Sequence, residues 1–270
     1  MNFQQKLTKT IKANNSLVCV GLDPDIDKLP TSLKQQKLPL TTFNKAIIDA
    51  THDLVACYKP NIAFYEAYGL EGLEQLKKTI EFIQLKYPQT PVILDAKRGD
   101  IGNTSKMYAK AVFDYWQIDA VTVYPYPGLD ALQPFFDYQD KTTFLLIRTS
   151  NPDAKMFQDL LVDGEPYYLA IAKKIKAWNF NNMGIFVGAT YPQELKKLRI
   201  IFPDKIFLSA GIGAQAGEIK QAVESGIDNK GAGIIFNASR SILYASDGKD
   251  FAQEAREATR KLKEEINKYR

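Results

Sequence analysis

Near-continuous apolar runs recur along the chain at 17–22 (LVCVGL), 55–59 (VACYK), 91–95 (PVILD), 118–123 (IDAVTV), 143–148 (TFLLIR), 184–188 (GIFVG), 205–209 (KIFLS) and 233–237 (GIIFN). Runs without alternating polar positions are how strands covered on both faces read. The stretches between them carry helical spacing. Residues 71–86 place Leu73, Leu76, Ile80 and Ile83 on one side. Residues 191–200 open at Pro192, which suits a first helical turn, and 249–269 read as a charged C-terminal helix. Strands alternating with helices, eight strands in all, predict a (β/α)8 TIM barrel. A doubly wound open sheet is the rival, and the strand count favours the barrel. With no Pro/Gly/Ser-rich linker and no internal repeat, one catalytic domain over 1–270 is expected. The longest stretch without periodicity is 149–166, and loops of that length are usually functional or mobile.

Composition narrows the function classes. The chain has 270 residues, 45% hydrophobic and 24% charged, which excludes a disordered or fibrous chain. Lys and Arg number 35 against 31 Asp and Glu, a formal charge of +4. Because the basic residues are interspersed with acids, no nucleic-acid footprint emerges. A basic cleft for a small anion stays open. Cys19 and Cys57 both sit in apolar runs and read as buried reduced thiols. The first fifteen residues lack the apolar core of a signal peptide. No run reaches the roughly 18 apolar residues of a membrane span. A cytoplasmic protein without a membrane partner is expected.

In a barrel the chemistry gathers where strands end. The first strand ends at Asp23, the second at Lys59 with Asn61 just after, and the third at Asp95, followed by Lys97 and Asp100. The fifth ends at Arg148, Thr149 and Ser150, the seventh runs into Gly211–Gln215, and the eighth into Asn237–Arg240. Each has a bland reading: Asp23 before Pro24 as a turn residue, Lys59 as a solvated strand end. Their shared rim gives them weight.

The sharpest segment is LDAKRGDIGNTS at 94–105. Asp95 and Lys97, two apart at a strand end, can point to one side. A DxKxxD pattern arises by chance in roughly one chain in twenty of this length, so its position matters more than its letters. The second segment is SAGIGAQAGE at 209–218, where Gly211 and Gly213 let backbone N–H groups approach an anion. Loops after strands seven and eight of a barrel commonly hold phosphate, and Arg240 can add a bidentate contact. Other features carry less. His52, the one histidine, falls in a helix-like stretch away from the strand ends, and neither cysteine has CxxC spacing. Histidine chemistry and His- or Cys-based metal sites are therefore not expected. The aromatics Tyr124, Tyr126, Phe135 and Phe136 lack the interleaved basic residues of a nucleic-acid platform and read as core or interface.

Taken together, VGLDPD (20–25), YKPN (58–61), LDAKRGDIGNTS (94–105), LIRTSNP (146–152), GIGAQ (211–215) and NASRSILYA (237–245) resemble the orotidine 5′-phosphate decarboxylase family, in its longer subgroup. The resemblance spans nearly the whole chain. It implies decarboxylation of orotidine 5′-monophosphate (OMP) to uridine 5′-monophosphate (UMP) in pyrimidine synthesis, without cofactor or metal. Lys97 would donate the proton to C6, Asp95 would flank the substrate carboxylate, and Lys59 and Asp100 would complete a Lys-Asp-Lys-Asp array. Asp23, Asn61 and Thr104 would surround the ribose, Thr149 and Ser150 would meet the pyrimidine, and Gly211, Gly213, Gln215 and Arg240 would hold the phosphate. The resemblance further implies a homodimer in which Asp100 and Thr104 reach the partner's site. Two positions depart from the family pattern: Ala210 stands where Pro is frequent, and Tyr124-Pro125 where Asn-Pro is frequent.

Two other readings remain. One is a Mg-dependent sugar-phosphate decarboxylase or aldolase of the same barrel group, with the carboxylates holding the metal. The other is a non-catalytic phosphate-binding barrel, for which a four-residue charge array is superfluous.

Overall fold

The computed structural model describes residues 1–212 and 216–270. Eight parallel strands carry the fold: β1 (Val18–Leu22), β2 (Cys57–Pro60), β3 (Ile93–Arg98), β4 (Ala120–Val123), β5 (Thr142–Arg148), β6 (Met183–Gly188), β7 (Phe207–Ala210) and β8 (Ile234–Ala238). In these labels the hydrogen-bonded order is β2-β1-β8-β7-β6-β5-β4-β3. The bridges Tyr58↔Val92 and Asn61↔Asp95 join the two ends of that order, so the sheet closes on itself. An open doubly wound sheet would leave two free edges, and closure rules it out. The fold is the TIM barrel.

Closure creates two apolar regions. Inside the strands, Cys19, Cys57, Ile93, Ala120, Phe144, Leu146, Phe186, Leu208 and Ile235 fill the barrel. Helix α1 (Phe3–Asn14) plugs the N-terminal end with Phe3 and Leu7, and the Phe3 ring meets Phe144 edge-on at 5.8 Å. α1 starts on a capping box between Asn2 and Gln5, which satisfies two otherwise orphaned N–H groups. Outside the strands a larger layer joins them to the helices: α2 (Pro39–Thr51), α3 (Gly69–Lys86), α4 (Gly102–Lys110), α5 (Leu129–Phe136), α6 (Tyr167–Lys176), α7 (Pro192–Ile201), α8 (Ala216–Gly226) and α9 (Phe251–Asn267). The helical stripe expected over 71–86 is α3, which buries Leu76, Ile80 and Ile83. Pro192 stands in the first turn of α7.

Strand β3 departs from its expected length. The apolar run stops at Asp95, yet the ladder continues to Arg98, which pairs with Val123 across a register shift. Lys97 adopts φ 46°, a left-handed conformation that L-residues seldom take. Stored strain of this kind collects at functional sites. The stretch 149–166 carries a turn of 3-10 helix (Pro152–Ala154), a short helix (Lys155–Gln158) and a two-residue hairpin ladder.

Candidate active site

The C-terminal rim gathers charge on Asp95. Lys59 Nζ donates to Asp95 Oδ2 at 2.9 Å, and Lys97 Nζ donates to Asp95 Oδ1 at 2.6 Å. Lys59 and Asp95 are 2% and 6% exposed, whereas the Lys97 side chain keeps 37% of its surface open at the mouth. Burial alone would neutralise both buried groups. Burial does push Asp95 upward, but the ammoniums of Lys59 and Lys97 outweigh it and hold the carboxyl far below the usual carboxylate range. Burial likewise pushes Lys59 down, and Asp95 with Asp23 more than reverses it, so the ammonium persists. The two ammoniums thus share Asp95, with the Asp23 carboxylate also facing Lys59, and Lys97 is the cation that stays open toward the mouth.

Thr122, on β4, completes this centre. Its hydroxyl donates to Asp95 Oδ1 at 2.8 Å and accepts the backbone N–H groups of Ala96 and Lys97, each at 3.1 Å. One side chain thus orients the carboxylate and holds the backbone of the lysine in its unusual conformation. Sequence reading passes over it, because Thr within DAVTV looks like an ordinary strand former.

A second carboxylate is fixed beside the first. Asp23 accepts from Asn61 N–H at 3.1 Å and from the Ser239 hydroxyl at 2.7 Å. Gly21 makes this approach possible: a Cβ there would fall 1.9 Å from Ser239 Oγ. In the sequence Ser239 stands only as part of NASRSILYA, with nothing local to mark it as the partner of Asp23. On the opposite wall Ser150 packs against Gly188, where a Cβ would sit 2.8 Å from that of Ser150. Gly211 lies beside the same serine with φ 86°, a conformation natural to glycine.

Not every expected residue meets its neighbours within this chain. The Thr149 hydroxyl is turned into its own loop, donating to Asn151 Oδ1 at 2.7 Å and accepting from Gln158 at 2.8 Å. Asp100 is exposed, accepts the Ile101 N–H, and pairs with no cation among the described residues. Thr104 is exposed on the first turn of α4, and Arg240, also exposed, opens a short helix after β8. Gly213 and Gln215 lie outside the described residues. The Tyr124 hydroxyl is pushed up by burial and then by the charge of Asp95, so this departure from the family pattern stands close to the centre. Among the described residues no three His, Cys, Asp or Glu side chains come together as metal ligands. Both oxygens of Asp95 are taken up by ammoniums, a donor set hostile to a divalent cation.

A closed parallel barrel with an alternating ammonium–carboxylate cluster on its C-terminal rim has the layout of a barrel enzyme. Comparison with known proteins gives the family. Residues 16–255 match the model of the orotidine 5′-phosphate decarboxylase / HUMPS family. The chain is 47% identical over 274 residues to the orotidine 5′-phosphate decarboxylase of Thermomicrobium roseum, spanning 100% of this chain and 96% of that one. It is 48% identical over 271 residues to that of Cellvibrio japonicus, with 99% and 98% covered. A solved structure of Leishmania donovani OMP decarboxylase superposes with a TM-score of 0.85 at 36% identity, covering 100% of this chain and 98% of the other. The chain belongs to the orotidine 5′-phosphate decarboxylase family.

Proposed function

We propose that this barrel converts OMP to UMP by charge stabilisation of the C6 electron pair, with Lys97 as the proton donor. The observation that carries the reading is the Lys59–Asp95–Lys97 cluster, held at 2.9 and 2.6 Å and topped by one lysine open to the mouth. In the reaction the bond from C6 to the carboxylate carbon breaks and CO2 leaves. The electron pair stays on C6 in the ring plane, where the π-system cannot delocalise it. The Lys97 ammonium faces that pair and transfers a proton to C6, then regains one from solvent. Opposite charges about 4 Å apart, at an effective dielectric near 20, interact by roughly 4 kcal/mol. That is about three decades of rate. The rest must come from charges already in place before reaction and from binding energy of the remote phosphate.

Asp95, locked by two lysines and Thr122, holds Lys97 charged and aimed. Asp23 and Asn61 form the ribose side, Ser150 and the Thr149 backbone the pyrimidine side. Gly211, Gly213, Gln215 and Arg240 form the phosphate side. The exposed, unpaired Asp100 supports a homodimer in which it completes the array of the facing subunit, with Thr104 beside it. Ile101 and Met107, 64% and 61% exposed on the segment that follows Asp100, fit burial against a second copy. No described helix is long and apolar enough to cross a membrane, and a cytoplasmic place fits a nucleotide substrate.

The deciding experiment follows ultraviolet absorbance when the purified protein meets OMP in excess EDTA. Loss of the orotate chromophore with UMP as product is expected. Turnover that appears only after adding Mg²⁺ would move the chemistry to a carboxylate-bound metal. Silence in both would leave a phosphate-binding barrel.

A further inference from the structure

The largest fully buried side chain is Arg148, at the end of β5. An arginine is seldom buried outright without a dedicated partner set. Here the guanidinium lies between two rings, 5.3 Å from the centroid of Tyr168 and 4.5 Å from that of Tyr191. Its Nη2 pairs with Asp159 at 3.0 Å, and Nη1 donates to Gln158 Oε1 at 3.2 Å. Among the described residues Nε has no hydrogen-bond partner.

Gln158 passes this anchorage on. The same Oε1 accepts the Thr149 N–H at 3.0 Å, and its Nε2 donates to Thr149 Oγ1 at 2.8 Å. Thr149 in turn donates to Asn151. Three hydrogen bonds on one glutamine therefore tie residues 158–159 to Arg148 on one side and to the 149–151 strip on the other.

Packing does not do this work instead. Beneath the segment lies a cavity of about 750 Å³, lined by Tyr124, Leu146, Phe157, Leu161 and Tyr168 among others. Phe157 and Leu161 are 69% and 71% exposed. A segment with so little apolar burial has a low local stability, and its polar tethers decide where it rests.

The geometry points to Arg148 and Gln158 as positioning residues: together they form a latch that sets the 149–151 strip, and hence the wall that grips the substrate base. This rests on the reading that Ser150 and the Thr149 backbone meet the pyrimidine. The latch touches neither C6 nor Lys97, so it acts on binding and not on the proton transfer.

The test uses Gln158→Leu and Gln158→Glu in the full chain. Gln158 is half-buried in a surface segment, so neither change threatens the core. Leucine removes all three contacts. The expected result is a KM for OMP raised about tenfold with kcat little changed, the pattern of lost uniform binding. Glutamate still accepts from Arg148 and the Thr149 N–H, and the Thr149 hydroxyl can rotate to donate to it, so it should restore most of the wild-type KM. Amide hydrogen exchange at Thr149 gives a readout free of turnover: protection in wild type, loss in Gln158→Leu, recovery in Gln158→Glu. An unchanged KM in Gln158→Leu, or a loss confined to kcat, would overturn the latch. So would Thr149 exchange that ignores the substitution. If wild type itself fails to turn over OMP, the decarboxylase reading falls, and the exchange result still decides whether the latch exists.

Discussion

Lys97 combines two demands on a single side chain, charge and a transferable proton. Its backbone pays with a left-handed φ of 46°, held by the Thr122 hydroxyl. Replacing Lys97 with Ala should abolish measurable turnover while UMP still binds, because the proposed phosphate and ribose contacts lie elsewhere. Single-turnover kinetics beside equilibrium dialysis checks both halves, and substantial turnover would refute the role. Asp95→Asn makes a different demand. It strips the partner carboxylate from a 2% exposed ammonium at Lys59. Breaking a buried pair in this way costs about 3–5 kcal/mol, so urea denaturation at pH 7 should show a loss of that order. The pH dependence follows from the direction of each shift. Asp95 is held below its unfolded value, so its contribution is present above about pH 4 and fades as pH falls further. Lys59 is held above its unfolded value, so its contribution is full below about pH 10 and is lost as pH rises beyond that. Wild type should therefore hold a broad stability plateau between these limits, and Asp95→Asn should lose the acid shoulder that Asp95 contributes.

The elements that carry the site need support at the far end of the barrel. Arg199, on α7, donates to the carbonyls of Gly226 and Gly233 through Nη2 at 2.7 Å each, and to Phe202 and Lys205 through Nη1. It thereby ties the C-terminal ends of α7 and α8 to the starts of β7 and β8, stacked 3.7 Å from the Phe207 centroid. Burial lowers its pKa to about 10, still charged at neutral pH. Arg199→Met should take the arginine donor from all four carbonyls, Gly233 and Phe202 keeping the backbone donors Phe207 and Lys205 while Gly226 and Lys205 lose theirs, and destabilise the fold by about 3 kcal/mol. KM and kcat of the folded fraction should stay unchanged, which denaturation curves beside steady-state kinetics would verify. At this scale the sequence was most legible. All eight strands fall within three residues of their expected limits, because fully covered strands leave uninterrupted apolar runs. The rim residues followed from the rule that barrel chemistry sits at strand ends. What stayed hidden has a common cause. Thr122 and Arg148 make contacts across strands and loops that no local pattern encodes, and the extension of β3 to Arg98 uses polar residues where the apolar signal has stopped.

At the scale of the molecule, one chain presents a Lys59–Asp95–Lys97 cluster open at Lys97 and, elsewhere on its surface, a carboxylate, Asp100, that pairs with no cation among the described residues. Asp100 follows Lys97 by three residues, yet Lys97 turns to Asp95 and Asp100 faces solvent. If two copies face each other at their mouths, each Asp100 falls to the neighbour's array and completes its alternation of lysine and aspartate. The exposed Ile101 and Met107 then leave water with it. Such an arrangement makes a heterologous rescue possible. Lys97→Ala and Asp100→Ala chains, each inactive alone, are unfolded together, refolded and allowed to pair at random. Half of the dimers are then mixed. In each of these one site holds both Ala substitutions, and the other holds an intact Lys97 with an intact Asp100 from the opposite chain. One restored site in half of the dimers predicts recovery of about a quarter of wild-type activity. Self-contained sites would give no recovery at any mixing ratio, and the dimer reading of Asp100 would fall with them.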